Sequence, residues 1–249
     1  MRITKIFLAA WCACALAGFL WAQLSPFDPV FKAAANPPGA AGGGTPAFDL
    51  SAFAPVVGPS DQPAVATCSN AVATGKRLVV VIFSNNEQGG VSSVVDSGGN
   101  TYSSIASVVT ASNRKLWIYS ASIGTALTTS STVTVTWVTP SYSYQCVIGF
   151  VLSGVSAVDV SATGDNDNAA TVAASATTTV ADTVAVGVVA SMDASYASGN
   201  FDALYTSSSG GGATIYTVKK VFNSTGSKDI GGTCTIFQGW STVWAAFKP

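Results

Sequence analysis

From Cys68 to the C-terminus, apolar residues recur at every second position rather than every third or fourth. That is the period of a pleated strand, whose side chains alternate between two faces. Thr132 to Val138 shows it most plainly, with Val133, Val135 and Trp137 on one face and threonines on the other. Leu78 to Phe83 (LVVVIF) is instead continuously apolar between Lys76-Arg77 and Ser84-Asn85-Asn86, and reads as a central strand buried on both faces. After Pro140, the residues Tyr142, Tyr144, Cys146, Ile148, Phe150 and Leu152 share one face of a long strand. Val184, Val186 and Val188 share a face opposite Ala185 and Gly187, and those small residues predict another layer packing closely there. The closing strand alternates Trp240, Thr242 and Trp244 against Val243, Ala245 and Phe247. Asp96-Ser97-Gly98-Gly99-Asn100, between Val91–Val95 and Thr101–Ile105, predicts a hairpin turn. No helical period follows residue 23.

Some ten short strands separated by polar turns imply an all-β fold. The expectation is a two-sheet antiparallel sandwich over residues 67–249, with jelly-roll or immunoglobulin-like connectivity. The alternative is two half-size domains split near Val155; a reading of the two halves finds no duplicated motif, which favours the single sandwich.

The first 66 residues read differently. Residues 1–5 carry two basic side chains, and an uncharged apolar run follows from Ile6 to Ala22. This is the layout of a secretory signal or, if retained, of a membrane anchor in a single apolar helix. Residues 23–66 hold eight prolines and the small-residue stretch Gly39 to Gly44, so an extended, largely unpaired lead is expected. Its spaced aromatics Phe27, Phe31, Phe48 and Phe53 are the candidates for docking on a neighbouring subunit.

Composition narrows the function. Charged residues make up 9% of the 249, against about 25% in typical globular chains. The net charge is −1 and the basic residues come only in isolated pairs, which speaks against nucleic-acid binding. With no histidine, Ser-His-Asp and Cys-His catalysis and a zinc centre are all disfavoured. Glu87 is the only glutamate, and Asp96, Asp165, Asp167 and Asp229 sit in turn text, where bonding to the backbone accounts for an aspartate. No catalytic residue and no cofactor is expected. Calcium at Asp165-Asn166-Asp167-Asn168 is the one metal option, although Ala169 and the lack of a later glutamate break the EF-hand pattern. Among the cysteines beyond the leader, Cys146 and Cys234 are the candidate disulfide, with three buried thiols as the alternative.

Tyr142, Tyr144 and Trp240 are the candidate sugar or partner contacts, because flat aromatic faces stack on sugar rings. Aromatics at a period of two are more often core, and that reading competes with it. The string Val94-Val95-Asp96-Ser97-Gly98-Gly99-Asn100-Thr101-Tyr102, with Leu116-Trp117-Ile118-Tyr119, Gly149 to Val155 and Gly239-Trp240-Ser241-Thr242, resembles β-sandwich modules of bacterial surface proteins and of phage virion or tail-associated proteins. The resemblance implies an architectural, adhesive or carbohydrate-contacting role and supplies no catalytic residue. The expectation is therefore an exported, non-catalytic structural or interaction protein of a cell-surface or virion assembly. Self-association or surface partners come first, glycans second, and contact with a membrane only through residues 6–22. A carbohydrate-binding adhesin is the alternative, and a secreted hydrolase a third.

Overall fold

The computed structural model describes residues 44–60, 63–85, 90–109, 114–138, 143–166, 169–192, 195–208, 213–234 and 239–249. The leader-like run, the helix expected of it, and Phe27 and Phe31 lie outside the described residues.

Every regular element among the described residues is a β-strand, so the chain is all-β there. In chain order the strands are β1 (Ala47–Ser60), β2 (Ala64–Thr67), β3 (Arg77–Asn85), β4 (Val91–Asp96), β5 (Ser103–Val109), β6 (Arg114–Ser122), β7 (Thr132–Trp137) and β8 (Ser143–Ser153). They continue as β9 (Ala157–Asn166), β10 (Ser175–Thr178), β11 (Thr183–Met192), β12 (Tyr196–Ser198), β13 (Asp202–Ser208), β14 (Ala213–Phe222), β15 (Gly226–Asp229), β16 (Gly232–Cys234) and β17 (Trp240–Lys248). All ladders between them are antiparallel.

No sheet mixes strands from the two sides of Gly154. The first half forms a five-stranded sheet, β1-β8-β3-β6-β5, and a three-stranded sheet, β2-β7-β4. The second half forms a five-stranded sheet, β13-β14-β11-β17-β9, and two ribbons, β10-β15 and β12-β16. The two five-stranded sheets pack face to face, and the smaller sheets cover their outer faces. Three apolar cores fill the gaps. Leu78, Val80 and Ile82 point to the first outer core, with Trp117, Trp137 and Val135. Val79, Val81 and Phe83 point to the middle core, where Val184, Val186, Val188, Val243 and Phe247 meet them. Ala185, Val189 and Trp244 point to the second outer core, with Phe201 and Ile230. Strand β3 is thus buried on both faces, as its continuous apolar run requires.

Three expectations change. A single pair of sheets becomes several antiparallel sheets in two self-contained sets that divide at Gly154–Ser156. The lead is not unpaired throughout, because residues 47–60 form an edge strand on β8 and residues 64–67 join the small sheet. Proline is tolerated on β1 because the strand has a free edge and a register shift, between Phe53 and Val56, that accommodates Pro55. The hairpin expected at Asp96–Asn100 is a corner instead. Beyond one bridge, Val95 to Thr101, β4 stays in the small sheet while β5 crosses to the edge of the five-stranded one.

Candidate functional site

The densest polar chemistry among the described residues lies at one end of the first five-stranded sheet. Adjacent strands β3, β6 and β8 are apolar up to the row Phe83–Leu116–Cys146, and turn polar at the next. Ser84 pairs with Lys115 and Gln145; Asn85 pairs with Arg114 and Tyr144. Arg114 is only 1% exposed and Lys115 8%, with Ser84 and Gln145 also buried. A buried cation is tolerated only where partners compensate its lost hydration. Ser84, Asn85, Arg114, Lys115 and Gln145 all have such contacts. The corresponding row of the second half is Ser191, Thr214 and Trp240, uncharged throughout. Among the described residues, only the first half carries cationic and amide side chains in this row.

The Asp96 corner is structural. Asp96 Oδ1 accepts hydrogen bonds from the Gly98 and Asn100 amides at 2.9 and 3.0 Å, and Oδ2 accepts from Asn100 Nδ2 and the Tyr102 hydroxyl, both at 2.9 Å. Asn100 Oδ1 in turn accepts from the Gly124 and Thr125 amides, tying the corner to the β6–β7 connection. Burial, with the neighbouring Asp96 charge adding to it, pushes the Tyr102 phenol well above the usual range and the Cys68 thiol up. A carboxylate holding four donors is fully used in shaping the turn.

A cleft of about 280 Å³ opens between β1 and β14. Lys219 Nζ lies 4.6 Å from the centre of the Phe48 ring, and Lys220 Nζ is 3.2 Å from Asp202. Both ammonium groups are engaged within the chain.

The sequence-derived candidates scatter. Trp240 is a core residue of the second half, 4% exposed, because its face of β17 also carries Trp244 and lies under the ribbons. Tyr144 is half-buried at the polar end of β8 in the other half, so the two do not form one aromatic platform. Tyr142 lies outside the described residues. Phe53 is wholly buried in the chain's own first outer core and Phe48 packs against Phe150 at 5.6 Å, so neither is held out for a neighbour. Their spacing along β1, read as that of a docking lead, is the spacing of a strand.

The proposed Cys146–Cys234 disulfide is not formed. Cys146 faces the middle core, Cys234 lies beyond the second five-stranded sheet, and Cys68 belongs to the first outer core. Asp165 and Asn166 end β9, and Asp167 and Asn168 lie outside the described residues. Among the described residues no three His, Cys, Asp or Glu side chains cluster as metal ligands.

The polar row was missed because its members come from three separate stretches of sequence. Ser84-Asn85, Arg114-Lys115 and Tyr144-Gln145 each look like the polar end of one strand, and only the order β8-β3-β6 brings them together. Compared with known proteins, the chain matches no family, no curated sequence and no solved structure.

Proposed function

We propose that this chain is a non-catalytic structural protein of an exported surface assembly, built as two jelly rolls docked face to face. The order β1-β8-β3-β6 opposite β2-β7-β4 supports a jelly-roll path, and β9-β17-β11-β14 with the two ribbons supports the same path in the second half. The leader-like first 22 residues and the sparse charge support export, and the motif resemblance supports a surface or virion setting.

One observation carries the assembly reading. On the outer face of β2-β7-β4, where strand alternation should place polar residues, Val65, Thr134 and Val95 align in one cross-strand row. The two valines are 50% and 49% exposed, and Thr67, Thr132, Thr136 and Ser93 surround them, leaving a flat, uncharged surface. Such a face fits another uncharged sheet face of a second copy. The glycan alternative rests, among the described aromatics, on half-buried Tyr144 in one cross-strand row with Asn85 and Arg114.

Sedimentation velocity of the full chain over a wide concentration range tests the proposal. Self-association that is lost in Val65→Lys and Val95→Lys, with the thermal midpoint nearly unchanged, is the expected outcome. A wild-type chain that stays monomeric at every concentration and forms no particles would sink it.

A further inference from the structure

The two halves correspond residue by residue. The second half's strand order, read from its other edge as β9-β17-β11-β14-β13, repeats β1-β8-β3-β6-β5, and the split strand β15/β16 between β10 and β12 repeats β7 between β2 and β4. Register makes the match specific. Ala47 and Phe48 pair with Ser153 and Leu152, a shift skips Asp49, and Leu50 pairs with Val151. Ala157 and Val158 pair with Lys248 and Phe247, a shift skips Asp159, and Val160 pairs with Ala246. The sequences through those bulges are Ala-Phe-Asp-Leu-Ser-Ala and Ala-Val-Asp-Val-Ser-Ala, so the halves do share a duplicated motif, one that the aligned ladders bring out.

Both skipped aspartates bind the segment entering the next long strand. Asp49 accepts from Lys76 at 2.9 Å, and Asp159 accepts from the Thr179 amide at 2.9 Å. A second bulge recurs as well. The ladder skips Ile105 between Ser104 and Ala106 on β5, and Leu204 between Ala203 and Tyr205 on β13. Counting through the ladders from Arg77 and Val184 places these two bulges on the same row. Bulges are placed features of a strand pair, and two at matching positions are not a general property of β-sheets.

The same correspondence describes the middle core. Val79 and Val186, Val81 and Val188, Ile148 and Val243, Leu152 and Phe247, and Ile105 and Leu204 are matched pairs, and all of them line it. The inner face of each half therefore meets the corresponding face of the other, most closely where β5 and β6 lie against β9 and β17. Each half also keeps an outer core to itself, and each closes by pairing its first strand with its last.

We infer that residues 47–153 and 157–248 are two copies of one self-contained unit, and that the middle core is a protein–protein interface between them made intramolecular by fusion. The partner that each half's inner face fits is a second copy of the same unit.

A protease site inserted into the full chain between Gly154 and Val155 tests this. After cleavage the two fragments should stay together as a folded one-to-one complex, separate in urea, and re-form it on dilution. Val188→Asp, placing a charge at the centre of the middle core, should raise the dissociation constant of the cleaved complex by more than ~100-fold while both fragments keep their strand signal. If cleavage or Val188→Asp instead unfolds both fragments together, the middle core is the ordinary interior of a single domain and the inference fails.

Discussion

The two halves solve the same packing problem with one cross-strand pair reversed. In the first half Val80 on β3 faces Gly149 on β8; at the matching place in the second, Gly187 on β11 faces Trp244 on β17. Each pair holds one glycine, and each glycine makes room for a neighbouring side chain, the Phe53 ring at Gly149 and Trp244 Cβ with Ile230 at Gly187. A Cβ on Gly149 would stand 2.3 Å from Cε1 of Phe53, which arrives from the edge strand. A Cβ on Gly187 would stand 2.9 Å from Trp244 Cβ and from Ile230 Cδ1. An outer core needs its volume filled and does not prescribe which strand supplies the bulk. The backbone register is common to both halves, while the side chains filling it have changed places.

Removing the two rings should cost most. Phe53→Ala and Trp244→Ala are each expected to destabilise by about 3–5 kcal/mol in urea titrations. Trp244 carries an added term, since its indole N–H donates to the Ala174 carbonyl at 2.7 Å and truncation leaves that buried acceptor bare. A much smaller loss from either would mean that the outer cores are not independently packed.

Filling the glycines sharpens the comparison. Gly149→Ala and Gly187→Ala should each cost about 1–3 kcal/mol, the former more because it meets the ring head-on. In a Phe53→Ala background the Gly149→Ala penalty should largely vanish, and in a Trp244→Ala background it should persist. A penalty that ignores Phe53 would show that the glycine serves the backbone rather than the ring.

The smallest effect is alkaline. Burial pushes the Tyr196 phenol up to about 12, with Cys234 and Asp229 adding to it, and pushes Tyr102 higher still. In the unfolded chain both ionise near 10. The folded state therefore prefers the neutral phenols. Their stabilising contribution is complete below about pH 10 and declines as the pH rises towards the folded values. Stability against urea should fall from about pH 10 upwards, and Tyr102→Phe or Tyr196→Phe should each flatten that fall. An unchanged slope in both variants would place these hydroxyls in contact with solvent.

Much of both halves could be read from residues alone. Leu78 to Phe83 reads as a doubly buried strand, Val133, Val135 and Trp137 as a one-sided one, and Ala185 with Gly187 as meeting a close outer layer, to which Ile230 belongs. The tryptophans at a period of two proved to be core. Strand β1 was obscured because proline argues against a central strand and is silent about an edge one. The duplication was hard to see because it resides in register and in where the ladders slip. Around Asp49 and Asp159 the matching side chains form a contiguous motif, whereas matches elsewhere, such as Val79 with Val186, are isolated. The polar row at Lys115 needed the strand order, which no local pattern encodes.

Pairing of first strand with last, Ala47 with Ser153 and Ala157 with Lys248, has a consequence in time as well as space. Neither half can complete its sheet until its final strand exists, so each ladder waits on the closure of a loop spanning nearly the whole half. On the ribosome, β8 is made before any of β9, and the first half can close while the later strands of the second are still being synthesised. Its inner face then stands exposed until β17, the last strand of the second half, allows that half to cover it. The C-terminal strand thereby sets how long that apolar face is open to other nascent copies.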